Sequence, residues 1–240
     1  MHFKELYVLP GIPGIPSGFI KKINQVLRRL KFPYEFNVIP DGRVHMHTME
    51  QRMNFHLLAA CNLDYEVPGA WVELGCYTGQ SAMVFQKLLD KKGKDQKILL
   101  FDNFRAKYAL TTDIKKNLID NFVKNGLSKP QLVEGNFFET VPSQLPAELA
   151  FVHIDCGIGD DPEKHREIIV YLLEHVYPRL SKGGVILFMD YHDPNETING
   201  LPINIGVKLA CDNFFKDKSE TVYTLYGNNY SHGYIIKKEG

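Results

Sequence analysis

The 240-residue chain has no Gly-x-Gly-x-x-Gly run, no Cys-x-x-Cys pair and no net charge, its 28 basic residues being matched by 28 acidic ones. Each absence excludes something. Without a basic run the chain has no means of neutralising a phosphate backbone, so no nucleic-acid partner is expected. The four cysteines, Cys61, Cys76, Cys156 and Cys211, are scattered and match neither a stapled scaffold nor a zinc spacing. They read as reduced structural thiols of a cytoplasmic protein. No apolar run reaches the roughly 18 residues of a membrane span, and Met1 to Leu9 has no signal-peptide core, so no membrane partner is expected either. His45, His47 and His56 are too irregularly spaced to define a zinc site.

The length suits one full core with an elaborated end, which we divide into a helical N-terminal extension or cap over 1–66 and a main domain over 67–240. In the main domain, strand and helix patterns take turns. Trp71 to Leu74, Lys97 to Phe101, Gln131 to Glu134, Leu149 to Ile154 and Val185 to Phe188 are short apolar runs. Helical spacing fills the intervals: Gln80 to Lys91, Thr112 to Asn125 after the Thr111-Thr112-Asp113 cluster, and Glu163 to Val176 after Asp160-Asp161-Pro162. Lys182-Gly183-Gly184 is expected to turn the chain into its fifth strand. Near-continuous apolar strands separated by helices predict an α/β fold, a mostly parallel sheet covered on both faces. A further helix carries Val207, Ala210, Cys211 and Phe214, and Thr221 to Leu225 with Tyr234 to Ile236 forms a closing antiparallel hairpin.

Ligands of such sheets bind beyond the carboxyl ends of the strands, and those ends carry Gly75, Asp102, Gly135, Asp155 and Asp190. After the first strand, Glu73-Leu-Gly75-Cys-Tyr-Thr-Gly79-Gln-Ser81 turns through two glycines, residues that tolerate positive φ and close approach of a ligand. The spacing lacks the third glycine that seats a pyrophosphate on a helix N-terminus, which disfavours a dinucleotide and favours S-adenosylmethionine, a nucleoside without phosphate. Asp102 ends the second strand, where a carboxylate can accept hydrogen bonds from both ribose hydroxyls; Gly135-Asn136-Phe137 offers a close backbone approach and an aromatic face to adenine. As plain structure, the same residues are a tight turn, a turn-forming acid and a loop with a core phenylalanine.

The stretch Val67-Pro-Gly-Ala-Trp-Val-Glu-Leu-Gly-Cys-Tyr-Thr-Gly-Gln-Ser81 resembles the opening of the macrocin O-methyltransferase family. The likeness continues in order through Thr48-Met49 with Arg52, Phe101-Asp102-Asn103-Phe104, Glu134-Gly135-Asn136-Phe137-Phe138, Ile154-Asp155-Cys156, Tyr177-Pro178-Arg179-Leu180, Gly183-Gly184-Val185-Ile186, Met189-Asp190-Tyr191, and Gly206-Val207-Lys208 with Phe214-Phe215. The glycine motif is also similar to catechol O-methyltransferase. The resemblance implies a seven-stranded Rossmann-like methyltransferase domain over 67–240. It implies S-adenosylmethionine bound by Met49, Glu73, Gly75, Cys76, Tyr77, Gly79, Ser81, Asp102, Asn103, Gly135, Asn136, Phe137 and Asp155. It further implies a divalent metal such as magnesium on Asp155 and Asp190, and a hydroxylated small molecule, a sugar or phenol of a glycoside or secondary metabolite, as acceptor.

Methyl transfer from a sulfonium is an in-line displacement that needs orientation and an acceptor oxygen close to losing its proton. A carboxylate-held metal can lower the pKa of that hydroxyl. Here the chain departs from the pattern it resembles. Asp155-Cys156-Gly157-Ile158 stands where the family carries a second aspartate, or a catechol-type enzyme a lysine, and Met189 replaces one carboxylate of the fifth-strand pair. His192, which can act as a base near neutral pH, is the candidate replacement; Asp160, Asp161 or Asp193 could return a carboxylate, although the first two read better as a helix cap. His153 reads as structural. The loop from Tyr191 to Asn204 is the candidate lid. The amphipathic N-terminal helix, begun by Ser17 and carrying Phe19, Ile20, Ile23, Val26, Leu27 and Leu30 on one face, is expected to pack on the core or on a sister subunit, which makes a homo-oligomer the expected state. The missing base motivates an alternative, a methyltransferase-like protein that binds the cofactor as a sensor or assembly partner. A nicotinamide oxidoreductase is the third reading.

Overall fold

The computed structural model describes residues 7–9, 17–36, 47–105, 113–157, 161–193, 204–227 and 231–238. Ile158, Asp160, His45 and most of the candidate lid lie outside the described residues. A seven-stranded sheet organises the chain from β3 (Ala70–Leu74) onward. Its members are β4 (Leu99–Asp102), β5 (Gln131–Glu134), β6 (Leu149–Ile154), β7 (Leu180–Phe188), β8 (Tyr223–Leu225) and β9 (His232–Ile236). The spatial order is β5-β4-β3-β6-β7-β9-β8; the first five strands are parallel, and β9 is antiparallel to both β7 and β8. The Rossmann-like sheet with its terminal hairpin is the architecture expected.

Both faces are covered because the strands are apolar on both faces. Val72, Leu74, Val152, Ile154, Ile186 and Phe188 enter one core with α6 (Pro162–Val176) and α7 (Gly206–Phe215). Trp71, Leu100, Phe151 and Leu187 enter the other, with α2 (Met49–Asp64), α3 (Gln80–Lys91) and α4 (Ile114–Lys124). Alternation of neighbours such as Trp71 and Val72 between the cores is the two-residue period of a strand. Asp113 caps α4 and Asp161 caps α6, each side chain accepting backbone N–H bonds of the first turn, with Pro162 opening α6 where no N–H is needed.

Three elements differ from the sequence expectation. α5 (Phe137–Gln144) follows β5 where only a loop is expected; Asn136 caps it, and Pro142 together with the eight-residue length hides its period. Lys182-Gly183-Gly184 is not a turn before β7 but part of it. The pairing with β6 jumps from Leu149↔Leu180 to Phe151↔Val185, so the glycines form an irregularity inside the strand, held to β9 by Gly183 N–H donating to the Lys237 carbonyl at 2.8 Å. At the N-terminus, β1 (Tyr7–Leu9) and β2 (Tyr34–Phe36) pair in parallel around α1 (Ser17–Arg29). Ile20 of α1 is buried while Phe19, Val26 and Leu30 are exposed.

Strand order reverses between β3 and β6: the chain moves outward through β4 and β5, then returns to the other side of β3. A crevice opens at such a switch point. Hydrogen bonds past the strand ends hold its walls level: Gly75 N–H donates to Phe101 O at 2.9 Å, Gly135 N–H to Asp102 O at 3.1 Å and Asp155 N–H to Leu74 O at 2.9 Å.

Candidate active site

The β3–α3 turn is shaped by the protein before any ligand is considered. Gly75 sits at φ +85°, and a Cβ there would lie 2.2 Å from the Asp155 carbonyl oxygen, so the crossing of the β3 and β6 ends requires glycine. Gly79, at φ +77°, caps α3, and its Cβ would press on Leu118 and Phe122 at 3.0 Å. Asp102 then gathers the turn: one carboxylate oxygen accepts from Cys76 N–H at 2.9 Å and Tyr77 N–H at 3.1 Å, the other from Phe104 N–H at 2.8 Å. The acid is thereby fixed at the mouth of the crevice.

Around it lies a cleft with about 830 Å³ of empty space, counting its open mouth. Of the residues the sequence assigned to a cofactor, Gly75, Cys76, Tyr77, Asp102, Asn103, Gly135, Asn136, Phe137 and Asp155 line it together. Phe104, Ile114, Phe138, Cys156, Gly157 and Ile168 complete the wall. Phe104 and Phe138 fall within the quoted motifs, but Ile114 and Ile168 come from α4 and α6 and left no local signal.

Four assigned residues are elsewhere. Met49 lines a separate groove between α2 and α3 with Met53, Leu57, Val84 and Leu88. Gly79 lies outside the lining, its part being to start α3. Glu73 points away from the cleft because Leu74, its neighbour, faces the opposite core; fully buried, it accepts from Ser81 Oγ and pairs with His153 Nδ1 at 2.6 Å. Glu73 and Ser81 therefore brace the turn from beneath. The rings of Phe55 and Phe85 pack on His153, making the structural role read for that histidine a concrete one.

Asp155 carries the strongest local electrostatics. Its carboxylate accepts from His47 Nε2 at 3.1 Å, and its side chain remains 30 % exposed to the cleft. Burial acts to raise its pKa, but the His47 hydrogen bond and charge, with smaller contributions from His153 and His165, outweigh burial and hold it below the usual carboxylate range. His47, weighed in the sequence only as a zinc ligand, is brought by the fold to the site aspartate. It stands 108 positions from Asp155 and is aimed by the helix it precedes: Thr48 forms a capping box with Gln51, and Thr48 Oγ1 donates to Gly227 O at 2.7 Å.

Asp190 follows β7 at φ +57°, a region that aspartate tolerates better than most residues. Burial, then the charge of Asp155, raises its pKa to about 6, against an Asn204 amide that donates to it at 2.6 Å. His192 is buried, and its N–H donates to the Asp190 carbonyl at 3.0 Å; it is not among the lining residues. Burial and neighbouring carboxylates raise the thiols of Cys76 and Cys156, so neither is a thiolate near neutral pH.

The metal expectation does not fit. The charge of Asp155 acts on Asp190, but each carboxylate already holds an N–H donor, and among the described residues no group of three or more His, Cys, Asp or Glu side chains is arranged to hold an ion. A hard divalent cation requires several oxygen ligands and gives up its water reluctantly.

An adenosine group suits the cleft better. Carboxylates and loop backbone meet aromatic and branched apolar faces, and no Lys or Arg figures among the described lining residues to receive a phosphate. The strand order, the glycine turn and the acid at the next strand end define the methyltransferase class of Rossmann-like folds. The chain belongs to the methyltransferase domain family, whose profile matches residues 72–191. No curated protein matches it in sequence. Among solved structures it is similar to the O-methyltransferase NovP, at TM-score 0.64 and 18 % identity over 90 % of this chain and 88 % of that one. The S-adenosylhomocysteine-bound methyltransferase PaMTH1 of Podospora anserina follows at 0.60 and 16 %, covering 95 % and 90 %. CalS11, a TDP-rhamnose 3′-O-methyltransferase of calicheamicin biosynthesis, gives 0.56 and 19 %, covering 92 % of each chain. At these identities the likeness shows the fold. No helix among the described residues is long and apolar enough to cross a membrane.

Proposed function

We propose that the protein is an S-adenosylmethionine-dependent O-methyltransferase acting on a hydroxyl of a small molecule, a sugar or phenolic hydroxyl of a glycoside or secondary metabolite. The observation that carries the reading is the cleft itself, with Asp102 at its mouth and no Lys or Arg among its described lining residues, which favours a nucleoside without phosphate. The macrocin-type motifs and the O-methyltransferase neighbours support the acceptor class. When bound, S-adenosylmethionine supplies a methyl group on a sulfonium: the acceptor oxygen takes the methyl carbon as the carbon–sulfur electron pair returns to sulfur.

The chain's residues do the rest. Asp102 receives the ribose hydroxyls on lone pairs left free by the loop N–H donors. Phe104, Phe137 and Ile114 offer adenine an apolar contact and exclude water. Asp155, ionised by His47 and open to the cleft, receives the acceptor's proton as the new bond forms. We carry Asp155 rather than His192 as the base because His192 is buried outside the lining. A homo-oligomer is part of the proposal, with the exposed apolar residues of α1 as the contact.

The test is transfer of a radiolabelled methyl group from S-adenosylmethionine to a panel of sugars, phenols and glycosides, with Asp155→Ala as control. Label in an acceptor, lost in the variant, supports the proposal. Cofactor binding with no transfer to any acceptor would favour the sensor or assembly reading. Saturable NADH binding would favour an oxidoreductase.

A further inference from the structure

On the reading just given, the ends of β6 and β7 pose a physical problem: two carboxylates are placed close together beside the methyl donor's site, and the charge must be compensated. A divalent ion is one solution. The geometry points to another, in which His47 occupies the ion's place. We infer that His47 is a positioning residue that clamps Asp155 as a metal would, so that methyl transfer in this protein proceeds without a divalent cation.

Three observations carry this. First, His47 Nε2 lies 3.1 Å from Asp155 Oδ2, and Asn204 Nδ2 lies 2.6 Å from Asp190 Oδ2. Each carboxylate thus has its Oδ2 engaged by a nitrogen donor, and an ion could take both oxygens of either group only by displacing that donor. Second, the imidazole is not free to swing away at little cost. Its ring packs edge-on against the buried Phe55, at 5.1 Å between centroids and 82° between planes, and the adjacent Thr48 is fixed by its capping box and by the Gly227 carbonyl. Third, among the described residues the nearby side chains add no ligand set. Cys156 follows Asp155, Met189 precedes Asp190, and the imidazole of His165 is spent on the Cys156 carbonyl at 2.5 Å. A held imidazole is a donor of fixed direction; it orients Asp155 toward the acceptor without adding a Lewis acid.

The experiment is a Mn²⁺ titration followed by electron paramagnetic resonance on the intact protein with S-adenosylhomocysteine, together with turnover in EDTA and in Mg²⁺. For the wild type we expect an undiminished free-Mn²⁺ signal and equal turnover in EDTA and Mg²⁺. His47→Ala uncovers Asp155 beside Asp190: Mn²⁺ binding appears, and turnover without metal falls by roughly 10–100-fold, the usual cost of removing a group that orients a site carboxylate. Should His47→Ala fail to fold by circular dichroism, His47→Leu, which keeps a packed side chain on Phe55, is read in the same way. Saturable Mn²⁺ binding by the wild type that Asp155→Asn abolishes would overturn the inference. So would a folded His47 variant that gains no Mn²⁺ binding. A calorimetric titration with S-adenosylhomocysteine on the same sample separates the two claims: no cofactor binding sinks the methyltransferase reading, whereas the Mn²⁺ result reports on His47 alone.

Discussion

At the scale of single residues, Gly75 is the position where covalent geometry leaves least freedom. An alanine there would both hold a left-handed backbone conformation and drive its methyl group to 2.2 Å from the Asp155 carbonyl oxygen, far inside van der Waals contact. Gly75→Ala is expected to destabilise the protein by about 3 kcal/mol or more, strain and clash acting together, read as a lower urea midpoint with unchanged slope. His232 gives a second residue-scale prediction. Burial, with the charges of His153 and His47, lowers its pKa from 6.5 to about 3. The Asn54 amide, 3.1 Å from its Nε2, donates to the neutral ring. The unfolded chain therefore binds more protons between those two values, so this residue's contribution is complete above pH 6.5 and is lost as the pH falls toward 3. Asp190 works in the opposite direction: with its pKa raised from 3.8 to about 6, it adds stability at low pH that is lost as the pH rises through that interval. The decisive comparison is thus wild type against His232→Gln in denaturant melts at several pH values. The variant should lose less stability than the wild type on acidification; equal losses would contradict the assignment.

At the scale of elements, the parts of the fold that sequence made legible are those with long, two-sided apolar character. The helix at Gln80–Lys91 and the strands at Gln131–Glu134 and Leu149–Ile154 match their predicted bounds, because period and end signals agree there. The helix Phe137–Gln144 was hidden by an internal proline and by having barely two turns, and the glycine pair at 183–184 read as a turn because an irregularity inside a strand uses the same residues. Site residues divide similarly. Glycines and acids at strand ends are a local record of backbone crossings and loop anchors, so the sequence could place Gly75, Asp102 and Gly135 at the crevice that they line. Which way a side chain faces depends on strand register for Glu73 and on the entry angle of α3 for Ser81, neither of which the motif records, and both brace the turn from below. The His47–Asp155 contact is tertiary and no local pattern announces it. Its element-scale support can be tested: Thr48→Ala removes both the cap of α2 and the tie to Gly227, costing about 1–2 kcal/mol. If the cap aims His47, turnover falls as well; loss of stability in chemical denaturation with turnover unchanged would separate the cap from the site.

At the scale of the whole molecule, the reversal of strand order between β3 and β6 brings four strand-end loops to one place, and the apolar layers on both faces hold that end of the sheet open. The fold thereby fixes where a ligand sits, while the wall's chemistry selects its class. The most direct measurement is isothermal titration of the intact protein and of Asp102→Ala with S-adenosylhomocysteine. The account predicts saturable one-to-one binding for the wild type and, with charge-assisted hydrogen bonds worth roughly 1.5–3 kcal/mol, an affinity about 10–100-fold weaker for a folded Asp102→Ala. No heat of binding in the wild type, or equal affinity in the two proteins, would contradict it.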